Sequence, residues 1–376
     1  MSLKRKLKIL EVVFALSSGG AERVVTDLCN DFAARGHEVT LLTILDLDRD
    51  PALSFGRSAI SEKVKILQLK TKYPTPAALF RLHRILKAEK PDIIHMHLNV
   101  LPYFFCFALK RSGCRFFHTL HSVASAACGY PLQRGINRWF YKTRRITPVT
   151  ISKLCDESFQ SFYELPAAAC ITNGRNRPVP SAQEEEAATQ IEELKLHADD
   201  LVFVQVGTLY KLKNQLASVR IFGELHRRKK HAVLLLIGKR CDAEYYDKLT
   251  EIMPPNVHYL GERKNVADYL LHSDYFLMPS LYEGLPISLL EAMACGCIPI
   301  CTAVGGIPDV VDNSTNGYLV PPEDEAALLS CVEKRLDAPE KILPQDIVDD
   351  YLKRFDISRC ADKYLQMFNG TDGQDR

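Results

Sequence analysis

Short apolar runs alternate with segments of helical periodicity along this chain, and this alternation constrains the fold more than any other feature. Leu7 to Phe14 is an apolar run that predicts a buried strand, and the apolar residues that follow recur at helical spacing as far as Gly36. Val39 to Leu45 is the next apolar run, and four more strand-like segments follow, VKILQL, DIIHMHL, RFFHTLH and ITPVTIS. The pattern predicts an α/β fold with a parallel sheet covered by helices on both faces.

A change of composition near the middle of the chain predicts a domain boundary. Residues 177–181 form the proline-rich segment RPVPS, and the acidic helical segment EEEAATQIEELKL follows it. A second series of strands then begins, comprising LVFVQVG, AVLLLIG, VHYLG, YFLMPS, CIPICT and GYLV. With 376 residues the chain is long enough for two domains. We expect Rossmann-like domains at residues 1–175 and 195–355, with a terminal helix at 356–368 that packs back onto the first domain.

The composition bears on where the protein works. The longest apolar stretch, Leu98 to Leu109, is interrupted by Asn99 and Pro102 and is shorter than the ~18 residues of a membrane-spanning helix. The first residues lack the cleavage site of a secretory leader. Twelve scattered cysteines favour free thiols in a reducing compartment over a disulfide scaffold. We therefore expect a cytoplasmic protein.

Charge is unevenly distributed along the chain. Residues 1–175 contain 26 Lys and Arg against 14 Asp and Glu, whereas residues 176–376 contain 22 against 32. The densest basic stretch surrounds the aromatic segment Trp139 to Tyr141 and consists of Arg134, Arg138, Lys142, Arg144 and Arg145. This pattern fits either a surface that meets anionic lipid or phosphate, or a solvated helix face. We do not expect nucleic acid as a partner, because no recognisable binding module accompanies the basic residues.

A glycine pair follows the first strand in the segment SSGGAER. Gly19 and Gly20 allow a close approach of the backbone at a helix N-terminus, where free N–H groups favour anions. The segment is not the GxGxxG fingerprint, which disfavours an NAD-dependent dehydrogenase. A tight turn without a ligand is the structural alternative.

The segment YEGLPISLLEAMACGCIPI carries two glutamates, Glu283 and Glu291, around the predicted start of a helix. Pro286 suits the first helical turn, and the N–H groups after it can face a diphosphate. A helical rise of 1.5 Å per residue separates the two α-carbons by ~10 Å or more, which suits two ends of one long ligand better than a hydrolytic pair. Two surface glutamates flanking an ordinary helix would be the alternative.

Taken together, these motifs resemble glycosyltransferase family 4, the group 1 glycosyltransferases, whose members have the GT-B fold and an E-x7-E motif of this form. The resemblance covers nearly the whole chain. Besides the two glutamates it includes GGAER, DIIHMH, the TLH strand end, Asn173-Gly174, VG-x-L-x-x-x-K-N ending at Lys213-Asn214, Ala292 to Pro299, and Gly305-Gly306 before Asp309.

The resemblance implies two Rossmann-like domains facing a central cleft, of which the first binds the acceptor and the second binds a nucleotide sugar. It implies that Glu283 contacts the donor sugar, that Glu291 holds the ribose, and that Lys213 neutralises the diphosphate. His121 matches the position that approaches the donor sugar, and Gly19 and Gly20 match the turn that lies against the phosphates. The loop that would present backbone N–H groups to the sugar and diphosphate consists of Gly284, Leu285, Pro286 and Ile287.

The chain departs from the family pattern at Thr208, where the family usually has an arginine. A second cation for the diphosphate is therefore missing, and Lys211 is the candidate that could replace it. Two alternatives stay open at this point, a catalytically degenerate homologue that binds nucleotide sugars without turnover and a GT-B sugar-nucleotide epimerase.

Two further loops resemble family loops at the nucleobase site. One corresponds to the loop that holds the nucleobase in family members, and the other corresponds to the loop beside it. They contain the residues Gly238, Lys239, Arg240, Glu262 and Arg263. Plain surface charge is the alternative for both pairs of charged residues.

His95 and His97 lie two apart on a predicted strand and so point to one face. The sequence identifies no third metal ligand beside them, and we assign neither a catalytic role. We expect no metal and no cofactor.

The expected activity is retaining transfer of a hexose or N-acetylhexosamine from a nucleotide diphosphate sugar, UDP before GDP, to a glycan or lipid-linked glycan. We expect this in surface polysaccharide biosynthesis, with peripheral contact at the inner face of an anionic membrane.

Overall fold

The computed structural model describes residues 5–17, 19–110, 113–128, 130–338 and 341–370. Two compact units make up the chain. The first consists of Met1–Asn176 together with Asp356–Arg376, and the second of Arg177–Phe355. Each unit is built around one parallel sheet. This confirms the α/β fold with two Rossmann-like sheets that the alternating pattern predicts.

The first unit has a seven-stranded parallel sheet. Its strands are β1 (Lys8–Val13), β2 (Glu38–Thr43), β3 (Lys65–Gln68), β4 (Ile93–His97), β5 (Arg115–Leu120), β6 (Thr147–Thr150) and β7 (Ala169–Cys170). Their order across the sheet is β3-β2-β1-β4-β5-β6-β7. The strand order reverses between β1 and β4, and the carboxyl ends of strands at such a point form the usual ligand crevice of an open α/β sheet.

The second unit has a six-stranded parallel sheet. Its strands are β8 (Leu201–Val206), β9 (Ala232–Ile237), β10 (Val257–Gly261), β11 (Tyr275–Met278), β12 (Ile298–Thr302) and β13 (Tyr318–Val320). Their order is β10-β9-β8-β11-β12-β13, so this sheet reverses between β8 and β11. All six residues of β9 are buried, because a strand covered on both faces has no polar side.

Helices connect the strands. The α-helices are α1 (Gly20–Ala34), α2 (Pro76–Glu89), α3 (Phe105–Leu109), α4 (Pro131–Lys142), α5 (Lys153–Tyr163), α6 (Glu184–Leu194), α7 (Gln215–Arg227), α8 (Ala243–Glu251), α9 (Val266–Leu271), α10 (Ile287–Ala294), α11 (Glu325–Asp337), α12 (Pro344–Arg354) and α13 (Ile357–Asn369). Short 3-10 segments lie at Pro51–Ser54, Arg57–Ala59, Leu98–Tyr103, Lys211–Lys213 and Ile307–Asp309. No helix in the described ranges has both the length and the apolarity needed to cross a membrane.

Local sequence explains several helix ends. Thr75 and Ser152 each accept a hydrogen bond from a backbone N–H in the first turn of α2 and α5. Gly36, at φ +88°, follows the end of α1. The terminal helix α13 belongs to the first unit, where its buried stripe includes Tyr364 and Phe368.

Candidate functional site

Two loops of the second unit lie at the carboxyl ends of the strands that flank its reversal point. One loop follows β8 and carries Lys213, and the other follows β11 and carries Glu283. The Nζ of Lys213 lies 2.6 Å from Oε1 of Glu283. The side chains are 19% and 8% exposed, so the pair is largely removed from water. Each charge of this ion pair compensates the other, because removing either partner leaves a buried charge without an opposite charge beside it.

Backbone and amide hydrogen bonds join the two loops. The N–H of Leu281 donates to the carbonyl of Leu212 over 2.8 Å, and the side-chain amide of Asn214 donates to the carbonyl of Pro279 over 3.1 Å. Gln205 of β8 donates from Nε2 to the carbonyl of Lys213 over 2.8 Å. The lysine is therefore held at the glutamate by the backbone as well as by its charge.

Glycines make room around the ion pair. A Cβ at Gly207 would lie 3.5 Å from Cδ and Cε of Lys213, so the lysine stem packs directly on the glycine backbone. Gly305 has φ +59°, and a Cβ there would lie 1.8 Å from the carbonyl oxygen of Glu283. Gly306 donates its N–H to the carbonyl of Gly284 over 2.6 Å. The Gly305-Gly306 pair thus supports the backbone that carries Glu283.

Helix α10 begins beside this backbone. Pro286 is the N-cap, one residue earlier than the first-turn position that the sequence predicts, and no side chain caps the helix. Leu285, Pro286 and Ile287 are buried. Glu291, in the second turn, is 6% exposed, and Glu283 is 7% exposed. Both glutamates are buried, which contradicts the alternative of two surface residues flanking a helix.

Thr208 and Lys211 lie in the same loop as Lys213. The carbonyl of Thr208 accepts a hydrogen bond from Nε2 of Gln215 over 3.0 Å. Lys211 is exposed at the start of the 3-10 segment. The loop therefore presents one cation that is paired with Glu283 and one that projects into solvent.

The loop after β9 approaches the loop after β8 closely. A Cβ at Gly238 would lie 1.9 Å from the carbonyl oxygen of Gly207, and the N–H of Leu209 donates to the carbonyl of Lys239 over 2.9 Å. Arg240 is engaged by α8, with its guanidinium 4.2 Å from the ring centre of Tyr246.

The loop after β10 holds the other predicted pair. Glu262 is exposed. Arg263 lies in a groove beside the acidic helix α6, and its Nε is buried without a hydrogen-bond partner among the described residues.

The first unit carries the remaining predicted residues. Gly19 is the N-cap of α1 and Gly20 is its first residue, whereas Ser18 lies outside the described residues. A Cβ at Gly19 would lie 2.3 Å from Oε2 of Glu22, so this carboxylate occupies the space beside the glycine. Ser17 donates from Oγ to Oε1 of Glu22 over 2.7 Å. An anion at this helix start would have to displace Glu22.

His121 follows β5 and is joined to a buried network. Its Nε2 lies 2.9 Å from Nδ1 of His97, and Nε2 of His97 lies 2.7 Å from Oε2 of Glu11. The other oxygen of Glu11 lies 3.1 Å from Nδ1 of His95. Thr119 continues the network, since its Oγ1 lies 2.8 Å from Nε2 of His95 and 2.9 Å from the hydroxyl of Tyr364 on α13. The network therefore spans three neighbouring strands and the terminal helix.

Burial and charge set the ionisation of this network. Burial raises the pKa of Glu11, but the imidazoles of His95 and His97 outweigh it and lower that pKa to about 2. Burial, with repulsion from His95, lowers the pKa of His97 to about 4 despite the hydrogen bond to Glu11. Burial and the neighbouring imidazoles hold the pKa of His121 well below its usual range. At neutral pH the network contains an ionised Glu11 and neutral rings at His97 and His121.

Glu11 is the partner of the histidine pair that sequence reasoning missed. It supplies the third potential metal ligand, and the ligand atoms of Glu11, His95 and His97 lie within 4.8 Å of one another. Each of these atoms is already engaged in a hydrogen bond, so we interpret the group as a hydrogen-bonded network.

The basic stretch of the first unit forms an amphipathic surface on α4. Its exposed apolar residues, here called the α4 face, are Tyr130, Leu132, Ile136 and Trp139. Arg134 and Arg138 donate from Nε to backbone carbonyls at the end of α5 over 2.8 and 2.7 Å. Lys142 and Arg144 are exposed. Two of the basic residues therefore anchor the helix, while the apolar face projects into solvent.

Family models and related proteins match most of this chain. The sequence-family model described as Glycosyl transferases group 1 matches residues 200–338 of this chain. The family model described as Glycosyltransferase Family 4 matches residues 18–175. N-acetyl-alpha-D-glucosaminyl L-malate synthase of Bacillus anthracis is 25% identical over 323 residues, 81% of this chain and 81% of that protein. UDP-Gal:alpha-D-GlcNAc-diphosphoundecaprenol alpha-1,3-galactosyltransferase of Escherichia coli is 23% identical over 305 residues, 78% of this chain and 75% of the relative.

Solved structures share the fold. A glycosyltransferase from Rickettsia africae has a TM-score of 0.80 at 16% identity and covers 97% of this chain and 98% of its own. HepE of Anabaena, solved in complex with UDP, has a TM-score of 0.78 at 15% identity, and the match covers 97% of this chain and 100% of HepE. The two parallel sheets and these structural neighbours define a GT-B fold. More narrowly, the chain belongs to the group 1, family 4 glycosyltransferases.

Proposed function

We propose that this glycosyltransferase moves a hexose or N-acetylhexosamine from a nucleotide diphosphate sugar to a glycan or lipid-linked glycan with retention of anomeric configuration. The observation that carries the proposal is the buried pair of Lys213 and Glu283 beside the uncapped start of α10. A lysine ammonium and the free N–H groups of a helix start are both suited to a diphosphate.

Each part of the donor has a proposed partner. Lys213 binds the diphosphate, and the backbone of Gly284 to Ile287 donates hydrogen bonds to the sugar and phosphates. Glu283 binds hydroxyls of the donor sugar and Glu291 those of the ribose, because carboxylates accept hydrogen bonds from hydroxyl groups. Both carboxylates are buried, which strengthens such bonds relative to water.

Retention follows most simply from attack on one face of the sugar. The acceptor hydroxyl approaches the anomeric carbon from the side on which the diphosphate leaves. The bond from the anomeric carbon to the phosphate oxygen breaks, the new glycosidic bond forms, and the acceptor proton passes to the leaving phosphate oxygen. Lys213 and the backbone N–H groups stabilise the negative charge that develops on the diphosphate, so the step requires neither a protein nucleophile nor a metal.

UDP is the proposed donor nucleotide and GDP is the second choice. The Anabaena protein was solved with UDP and with UDP-glucose, and the E. coli relative is named for UDP-Gal as donor. That relative and one from Campylobacter jejuni are named for acceptors on diphosphoundecaprenol carriers. These names support a lipid-linked acceptor in surface polysaccharide biosynthesis.

A thermal-shift screen tests the donor site. UDP-, GDP- and ADP-sugars are added in the presence of EDTA to the wild type, to Glu291→Ala and to the control Glu251→Ala, whose glutamate is exposed at the end of α8. We expect one nucleotide family to raise the melting temperature of the wild type and the control but not of Glu291→Ala. No shift with any nucleotide sugar, or a shift that requires a divalent metal, would contradict the proposal. Sugar interconversion without an acceptor would favour an epimerase.

We also propose that the α4 face docks on an anionic lipid surface that carries the acceptor, with the protein on the cytoplasmic side. Its apolar residues are 37–78% exposed, and the exposed cations Lys142 and Arg144 lie at and beyond the end of the same helix. Apolar side chains flanked by cations suit the boundary between acyl chains and anionic headgroups.

Vesicle flotation tests the docking surface. The wild type should float with vesicles of phosphatidylglycerol and phosphatidylcholine and float less in high salt, because screening weakens the cationic contribution. The double variant Leu132→Ser with Trp139→Ser should lose flotation, whereas Leu343→Ser, which removes an exposed leucine of the second unit, should keep it. Equal flotation of the two variants would overturn the assignment of this face.

A further inference from the structure

Hydrogen-bond direction in the buried network assigns the protons on its imidazoles. An ionised carboxylate can only accept hydrogen bonds, so the Nε2 of His97 that faces Glu11 must carry a proton. A neutral imidazole carries one proton on its ring nitrogens, and the Nδ1 of His97 is therefore a bare acceptor. That Nδ1 faces Nε2 of His121, which must consequently be the donor.

The same logic leaves one acceptor on His121 without a donor. With its proton on Nε2, neutral His121 has a bare Nδ1, and this atom is buried and has no hydrogen-bond partner among the described residues. A buried acceptor without a partner has lost its hydrogen bonds to water and gained none from the protein, which is unfavourable. Such an atom in a folded protein calls for an explanation, and a ligand that brings a donor to it supplies one.

We propose that Glu11 and His97 are positioning residues that hold His121 in the Nε2–H tautomer, so that its Nδ1 accepts a hydrogen bond from a hydroxyl of a bound sugar. The inference rests on the proposed function for the nature of the ligand, but the tautomer follows from the network alone. His121 touches the sugar, whereas Glu11 and His97 act through it.

The branch through His95 serves to hold Glu11. It ends at Tyr364 of the terminal helix, and its hydrogen bonds satisfy the second carboxylate oxygen. His118, on the same strand as Thr119, is equally buried but is bonded to the hydroxyl of Tyr141 and the carbonyl of Leu98. It therefore lies outside the network and provides a matched control.

Nitrogen NMR of protein labelled with ¹⁵N-histidine tests the tautomer directly. The resonances of His121 are assigned by their loss in His121→Gln, and the wild type should show Nε2 protonated and Nδ1 unprotonated from pH 6 to 8. His97→Leu should turn His121 into a mixture of tautomers, because Nε2–H loses its acceptor. In Glu11→Gln, one carbonyl oxygen and one amide NH2 group replace the two carboxylate oxygens. The histidine that faces the NH2 group, His95 or His97, should invert its tautomer in order to accept a hydrogen bond. Tyr141→Phe should leave His121 unchanged.

Wild-type protein with the proton on Nδ1 of His121 would overturn the inference even if every variant failed to fold. An unchanged His121 spectrum in folded His97→Leu would overturn the positioning role.

Binding of UDP and UDP-glucose to the wild type and to His97→Leu tests the ligand. Loss of one neutral hydrogen bond should lower the affinity for UDP-glucose about five-fold while the affinity for UDP stays the same. An equal change for both ligands would overturn the sugar contact. If the wild type binds neither UDP-glucose nor any other nucleotide sugar, the proposed function fails, and the NMR result still decides the tautomer.

Discussion

Lys213 has to change partners for the proposed function to operate. Its ammonium lies 2.6 Å from Oε1 of Glu283 in a largely buried pair. Breaking such a pair without compensation is costly, so an incoming ligand must bring at least as much negative charge as the carboxylate it displaces. A phosphate group does so, because even a monoester carries a charge of about −1.5 to −2 near pH 7, whereas an uncharged sugar does not. The ion pair thus favours ligands that carry phosphate over uncharged ligands.

Glu283→Gln should separate binding from turnover. We expect release of UDP from the donor to fall at least about 100-fold, because the contact to the sugar weakens near the reacting carbon. Affinity for UDP should stay equal or rise, since Lys213 loses a competing carboxylate. Calorimetric titration and initial rates check this, with Glu251→Gln as the control. Lower affinity of Glu283→Gln for UDP would contradict the assigned roles.

Lys211 is an exposed cation three positions after Thr208, where the family usually has an arginine. If it contributes to the diphosphate site, Lys211→Ala should lower the affinity for UDP about five-fold and leave the affinity for uridine unchanged. Lys334→Ala, which removes an exposed lysine from α11, is the control. Equal affinity of Lys211→Ala and the control for UDP would show that Lys211 does not replace the missing arginine.

The residues that the sequence identified lie within short motifs, whereas the partners of Glu11, which it missed, lie far away along the chain. Glu283 and Glu291 stand in one local motif and were singled out by their spacing, whereas Lys213 was singled out by the family resemblance. Glu11 is 84 residues from His95, and its partnership depends on β1 lying next to β4 in the sheet. One signal was available, because a glutamate within a run that predicts a buried strand needs a partner to be buried.

At the level of strands, helices and loops, close contacts between backbone segments explain why glycines surround the ion pair of Lys213 and Glu283. The sequence identified Gly305 and Gly306 only as part of a resemblance, because their contacts with Glu283 and Gly284 join residues that lie 22 positions apart (305 − 283 and 306 − 284). The start of α10, in contrast, was predicted to within one residue, since a proline before a helix is a local signal.

Gly305→Ala should destabilise the second unit by about 2–4 kcal/mol. The backbone at this position has φ +59°, and the added Cβ would collide with the carbonyl of Glu283. Gly135→Ala is the matched control, because a Cβ at Gly135 meets nothing within 4 Å and alanine favours the helix α4. Scanning calorimetry should show a lower unfolding temperature for Gly305→Ala and an unchanged or higher one for Gly135→Ala. Equal unfolding temperatures would mean that the loop adapts at no cost.

At the scale of the whole molecule, the alternation of strand and helix segments was sufficient to predict two parallel sheets. Buried parallel strands such as β9 are continuous apolar runs and stand out in the sequence. The two-residue strand β7 has no such run, and its pairing with β6 is a consequence of the fold. The order of strands likewise depends on helix packing that periodicity does not encode.

Stability should depend on pH through the buried histidines of the first unit. The folded-state pKa values are about 4 for His97 and about 3 for His118, below the usual value of 6.5. As the pH falls from about 6.5 to about 4, the unfolded chain takes up protons that the folded chain does not. The free energy of unfolding should therefore decrease over this range by up to about 1.4 kcal/mol per pH unit for each such histidine.

Glu11 adds to this loss at lower pH. Its folded-state pKa is about 2, below the usual 4.5, so its stabilising contribution is present above pH 4.5 and is lost as the pH falls further. Urea unfolding followed by the fluorescence of Trp139, the single tryptophan, reports on the first unit. A midpoint that is the same at pH 7 and pH 5 would contradict the neutral state of the buried imidazoles.

Calorimetric titration, in EDTA, of the nucleoside diphosphate identified by the screen and of its monophosphate tests the role of Lys213 directly. We expect the wild type to bind the diphosphate at least about ten-fold more tightly, and Lys213→Ala to lose this preference while it still binds the monophosphate. Equal affinity of the wild type for the two nucleotides, or a diphosphate preference that survives in Lys213→Ala, would contradict the assignment of the Lys213 and Glu283 site.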